Sequence, residues 1–197
     1  GNFRNVSFSV RRGEIFGLTG LGGAGRSELC QAICGVTTYE SGTVILNGET
    51  VRFTHPLQSM QKKLGYLPED RQVQGLVLDW SIFRNITLPS LRKYSTAAGL
   101  NSKQERQDGE AFRKKLSIRT KDIDEKVSAL SGGNQQKVVF AKLLNLDLNV
   151  LILDEPTKGV DVGAKSQIYS IMSDLAEQGY AIILISSEMP EVLAMSD

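Results

Sequence analysis

Gly20-Leu21-Gly22-Gly23-Ala24-Gly25-Arg26-Ser27 is the stretch on which the fold turns. It follows a strand-like run, Glu14-Ile15-Phe16-Gly17-Leu18. It opens a helix-like run from Ser27 to Cys34, with Gly35 placed as the stop. Strand, glycine-rich loop and helix in that order fit the P-loop pattern G-x-x-x-x-G-K-[ST], except that Arg26 stands where lysine is expected. Glycines let the backbone bend so that successive N–H groups point inward, and the helix N-terminus adds the positive end of its dipole. Each bond from such a group to a charged acceptor is worth about 1.5–3 kcal/mol. Ser27 can hold Mg²⁺ through its hydroxyl. Arg26 keeps the positive charge but presents a planar fork in place of a compact ammonium.

Working outward, two later runs are continuously apolar, Val150-Leu151-Ile152-Leu153 and Ala181-Ile182-Ile183-Leu184-Ile185. Such runs suit strands buried on both faces of a parallel sheet. Between them Ile168, Ile171, Met172 and Leu175 have helical spacing, which completes a βαβ unit. Asp154 and Glu155 follow the first run directly, at the sheet edge where α/β proteins bind ligands. There Asp154 is placed to orient Mg²⁺ through water, and Glu155 to accept a proton from an attacking water.

The first third is more antiparallel. Val6, Phe8 and Val10 alternate with Ser7, Ser9 and Arg11 as a half-buried strand, and Asn47-Gly48 reads as a hairpin turn between Val44–Leu46 and Val51–Phe53. The middle, from Leu78 to Leu146, leans helical. Its residues 103–121 hold seven basic side chains against three acidic ones, with a single aromatic, Phe112, among them, so the reading is a solvated face and no nucleic-acid partner is expected.

Composition agrees. The 197 residues carry 23 Lys+Arg, 22 Asp+Glu and one His, a net charge of +1, with 41% hydrophobic residues, which suits a packed core and argues against disorder. No run approaches a membrane span. Cys30 and Cys34, four apart on a helix, read as small helix-face residues, and His55 is solitary, so neither a transition-metal site nor a nucleophilic triad is expected.

Leu130-Ser131-Gly132-Gly133-Asn134-Gln135-Gln136 supplies a second anion-binding helix start, with Ser131 as cap and Val138, Val139, Ala141, Leu143 and Leu144 as the apolar face. This stretch resembles the signature of ABC-transporter ATPases, and the order of P-loop, Gln-loop-like segment, signature and Asp-Glu strand end resembles that family from Val6 to Asp197. The resemblance implies an α/β P-loop ATPase fold with an antiparallel β-subdomain and a helical signature subdomain. It implies one nucleotide-binding domain over 1–197, with β-subdomain and P-loop in 1–66, helical subdomain in 72–146 and core sheet in 147–197, cut from a longer chain at both ends.

By the same resemblance, residues Gly20 to Glu28 (Gly20, Leu21, Gly22, Gly23, Ala24, Gly25, Arg26, Ser27, Glu28) bind ATP. Ser27 and Asp154 hold Mg²⁺, and Glu155 is catalytic. Ser131, Gly132, Gly133 and Gln135 serve a partner's ATP. Asp161 belongs to the loop between paired domains, Glu69 occupies the usual Gln position, and Ser187 occupies the usual His position. Arg26, Glu69 and Ser187 depart from the family pattern in the way that the second, C-terminal domain of tandem sugar-importer ATPases of the ribose, galactose, arabinose and autoinducer-2 type does.

The implied partners are a second nucleotide-binding domain in the same polypeptide, a membrane permease reached near Trp80, Ile82 and Phe83, and indirectly a periplasmic-type solute-binding protein. The implied location is peripheral, on the cytoplasmic face of the membrane. The expectation is an ATPase energising sugar import whose own site turns over weakly. The alternatives are a non-catalytic regulatory ABC domain or a soluble non-transport ABC ATPase. A GTPase would leave Leu130–Gln136 unexplained.

Overall fold

The computed structural model describes residues 3–97 and 99–197, which divide into two compact units. One comprises the chain up to Tyr66, Leu148–Glu155 and Met172–Asp197; the other comprises Leu67–Asp147 and Pro156–Ile171.

The first unit begins with β1 (Ile15–Leu18), the glycine-rich loop and α1 (Arg26–Ile33). A hairpin follows, β2 (Val44–Leu46) and β3 (Glu49–Val51), then α2 (Pro56–Gln61) and β4 (Leu64–Leu67). The hairpin turns on Asn47 and Gly48, both at positive φ (52° and 83°), the geometry that matches the twist of two paired strands. His55 begins α2, its Nδ1 accepting from Leu57 N. The expected strand at 6–10 joins no ladder and keeps its alternation only from Ser7 to Val10, because Val6, expected on the inner face, is 47% exposed. Phe8 and Val10 are half-buried and pack on the core, Phe8 stacked on Phe16 at 5.0 Å, while Ser7 and Ser9 are exposed. Side-chain packing holds this segment instead of backbone pairing.

In the second unit one turn of π-helix, Arg71–Gly75, leads toward α3 (Ile82–Thr87), α4 (Leu91–Tyr94) and a small hairpin of β5 (Ser95–Thr96) and β6 (Gly99–Leu100). Next come α5 (Ser102–Lys115) and α6 (Gly132–Leu144). Ile82 and Phe83, expected near a membrane partner, belong to this unit's core at 0% and 7% exposed, whereas Trp80 and Val73 are exposed. Asn85 is fully buried and satisfied. Its Oδ1 accepts from Val77 N, and its Nδ2 donates to the carbonyls of Val77 and Ser81, which fixes the entry to α3. α6 is buried on nearly every side from Gln135 to Ala141, wider than the apolar stripe expected.

The chain then returns through β7 (Val150–Asp154), α7 (Val162–Glu177), β8 (Ala181–Ile185) and α8 (Met189–Met195). The main sheet runs β1-β8-β7-β4, with β8 parallel to both β1 and β7. Ile152, Ile183 and Ile185 meet Cys30, Cys34, Val51, Phe53 and Leu64 in its core. Burial pushes the Cys30 thiol up to about 12 and raises that of Cys34 as well, so both behave as small apolar groups. Among the described residues no helix is long and apolar enough to cross a membrane.

Register then sets the site. Leu18 pairs with Ile185, and Ile185 with Asp154, so three strands end on one row at their C-terminal edge. Leu184 is 0% exposed one residue below this row. Truncation by Leu184→Ala is expected to cost about 2–5 kcal/mol, read as a lowered urea midpoint.

Candidate functional site

The loop from Gly20 to Ala24 is exposed, with Leu21 86% accessible, and Gly25 is buried at its end. Gly25 is the N-cap of α1 at φ 81°, a conformation in which a side chain is strained, and no side chain caps the helix. The first-turn N–H groups of α1 therefore have no acceptor within the helix and face outward with the dipole's positive end. Gly23 is also left-handed (φ 79°), and space around it and Gly22 is open. Arg26, Ser27 and Glu28 follow in the first turn, each half-buried.

Arg26 turns toward the sheet. Its Nη1 donates to the Ser186 carbonyl at 2.8 Å, and its Nη2 lies 3.9 Å from Glu155 Oε1. Ser187 Oγ donates to the other Glu155 oxygen at 3.2 Å. Two of the sequence's departures, at 26 and 187, thus converge on the carboxylate expected to be catalytic. Glu155 itself sits at φ 48°, a left-handed conformation costing a non-glycine residue about 1–2 kcal/mol. Its N–H is held by the Ile185 carbonyl at 2.9 Å, which keeps the residue in place beyond the end of β7. Ser187 is steadied by its neighbour. Ser186 Oγ donates to buried Glu191 and accepts from Glu188 N, tying the end of β8 to the start of α8.

Asp154 is fully buried, and Tyr66 Oη donates to its Oδ2 at 2.7 Å while Gln31 Nε2 donates to Tyr66 Oη at 3.3 Å. The roles of Tyr66 and Gln31 were invisible to sequence reading, because Tyr66 lies 88 positions from Asp154 and Gln31 a further 35 from Tyr66. Burial, reinforced by the Asp154 charge, pushes the Tyr66 phenol well above its usual range, so it remains a donor. The Ser27 hydroxyl and the Asp154 carboxylate are hard oxygen donors of the kind Mg²⁺ prefers. Among the described residues no cluster of three or more His, Cys, Asp or Glu could hold a metal by itself. These oxygens fit a cation delivered with a phosphate ligand.

The second unit holds the segment that resembles the signature, Leu130–Gln136. Ser131 is the N-cap of α6, but its hydroxyl makes no cap bond; it accepts instead from Asn134 Nδ2 at 3.0 Å, and Asn134 Oδ1 accepts from Arg119 N. The expected Ser131 cap is thus replaced, because Asn134 offers a nearer donor. Gly133 is packed so closely that a Cβ there would lie 2.4 Å from that of Ala164, which lets α6 and α7 approach. Gln135 is 4% exposed with its amide turned inward, donating to the Val127 carbonyl and accepting from Gln72. Asp161 caps α7, its Oδ1 accepting from Ala164 N at 2.9 Å. Glu69 is engaged by Lys158 Nζ at 2.5 Å. The like charge that a carboxylate introduces at this position therefore has a local counter-ion.

The Glu155 carboxyl is raised above its usual range, chiefly by burial and partly by Asp154, against the lowering effects of Ser187 and Arg26. A raised carboxyl favours folding while protonated and loses that contribution as pH rises through the folded value. Glu155→Gln is therefore expected to melt at a higher temperature than the parent at pH 8, with the two melting curves converging below about pH 4. A variant melting lower at pH 8 would contradict this sign.

Comparison with known proteins falls in line with this geometry. A family model described as ABC transporter matches residues 3–158. The chain is 49% identical to the ribose import ATP-binding protein RbsA of Bacillus cereus over all 197 residues, and 49% identical to that of Geobacillus kaustophilus. It spans only 40% of the length of these curated relatives. Among solved structures, a nucleotide-free ATP-binding cassette from an ABC transporter superposes with a TM-score of 0.86 at 19% identity, covering 100% of this chain and 79% of that one. A dimeric cassette bound to ADP and Pi superposes with a TM-score of 0.81 at 20% identity, covering 97% and 82%. The fold is that of an ABC ATPase, and with most of its length matched by the family model, the chain belongs to the ABC transporter family.

Proposed function

We propose that this chain is a nucleotide-binding domain that energises uptake of a sugar or sugar-like solute, and that it takes part in two unequal ATP sites. The role of its relatives, ribose import, supports the substrate class, and their greater length supports a second such domain in the same polypeptide. A membrane permease and, indirectly, a solute-binding protein complete the assembly, with this domain peripheral on the cytoplasmic side.

In the first site the N–H groups from Gly20 to Ser27 and the Arg26 side chain receive the phosphates. Ser27 and Asp154 are the residues that would hold Mg²⁺ carried with ATP, which would supply charge neutralisation at the phosphates. Glu155 is the base for the attacking water. The observation that carries the reading of a weak site is the contact set around Glu155. Arg26 faces the carboxylate, and Ser187 supplies a hydroxyl where the family has an imidazole. A neutral hydroxyl cannot place a positive charge on the γ-phosphate, and the Ser187 hydroxyl and the Arg26 guanidinium compete with an attacking water for the two carboxylate oxygens. In the second site Ser131, Gly132 and Gly133 present the start of α6 to a nucleotide held by the partner domain, and Asp161, two residues after the Gly159 carbonyl on which Gly132 packs, completes the face.

The test uses the full-length protein. Glu155→Gln is expected to leave at least about half of the ATPase rate, because turnover lies at the other site, and Ser131→Arg to reduce it more than tenfold with ATP binding to the 20–27 loop unchanged. A steady-state assay in which Glu155→Gln abolishes turnover would make this site a main engine and overturn the asymmetry.

A further inference from the structure

Arg71 makes a set of contacts that no part of the function above uses. It opens the π-helical turn Arg71–Gly75, whose start is held by Asp70 Oδ1 accepting from Gln72 N and Val73 N. Single π turns recur at functional sites, where they re-aim one side chain. Here the side chain crosses to the loop after β7. Nη1 donates to the Lys158 carbonyl at 2.7 Å and Nη2 to the Gly159 carbonyl at 3.1 Å. A Cβ added to Gly132 would lie 2.8 Å from Arg71 Nη2 and 3.0 Å from the Gly159 carbonyl. Gly132, Gly159 and the guanidinium thus meet at one point. Beside them Lys158 turns its own charge back onto Glu69.

We propose that Arg71 is a positioning residue: its guanidinium fixes the turn at Lys158–Gly159, and with it the loop that carries Asp161, against the first residue of the signature helix, while Glu69 and Lys158 close the latch. The consequence for turnover rests on the reading of Ser131–Gly133 given above. The planar fork is what the site needs. Two neighbouring carbonyls are spanned at once, which an ammonium cannot do with the same rigidity. The Glu69–Lys158 pair is solvent-exposed and screened by salt, so the fork carries most of the hold. A signature loop positioned this way offers its N–H groups at a fixed distance from Asp161, and loss of that distance is felt most in the transition state.

The experiment compares Arg71→Met and Arg71→Lys with the parent in the full-length protein, reading amide hydrogen exchange and steady-state kinetics together. Arg71→Met is expected to raise exchange at both 132–134 and 159–161. It is expected to lower kcat about tenfold with KM changed less than about threefold, and Arg71→Lys to recover part of both. Unchanged exchange in the two segments overturns the latch. Faster exchange with parental kcat, while Ser131→Arg still abolishes turnover, overturns the positioning role alone. Parental kcat with Ser131→Arg as well overturns the reading of the signature loop, and the exchange result then decides the latch by itself.

Discussion

Everything chemical in the first unit depends on one row of backbone pairing, in which Leu18, Ile185 and Asp154 lie side by side where three parallel strands end. Past that row the chains diverge into the glycine-rich loop, the Ser186–Ser187 segment and Glu155. The Glu155 N–H closing onto the Ile185 carbonyl continues the row by one bond. Strands buried on both faces cannot slip without moving Ile152, Ile183 and Ile185 out of the core, so the spacing of the three groups is fixed by apolar packing far larger than any contact among them.

The second unit uses a different device. Its loops are held by polar side chains, some local and some reaching far along the sequence: Asn85 within the entry to α3, Gln135 between Val127 and the distant Gln72, and Arg71 at the 158–159 turn. Each of these side chains answers backbone or amide groups that would otherwise be costly to bury. Irregular segments can thus be firmly placed where such side chains answer the backbone.

What could be read from the chain beforehand follows the same division. Patterns with a local cause were legible: glycines before a helix, continuous apolar runs for buried parallel strands, Asn47-Gly48 for a turn needing two positive φ angles. The ladder expected at 6–10 was not formed, since alternation reports burial and says nothing of a partner strand. Nor could spacing reveal that Tyr66 would meet Asp154, that Arg26 would turn onto Ser186, or that a serine at a helix cap would give up its cap to Asn134. Those are long-range or competitive contacts, decided by tertiary geometry. Glu69 was placed only by its position in the family pattern, and its lysine lay 89 positions away.

The contact between Gly133 and Ala164 has an evolutionary corollary. Two helix starts meet there with only hydrogen on one side and a single methyl on the other, leaving no volume to trade. A lineage that gained a methyl at 133 would first have to lose the one at 164. Changes at these positions are therefore constrained in their order as well as their kind, and the step through glycine at both would loosen the start of α7 before anything new was gained.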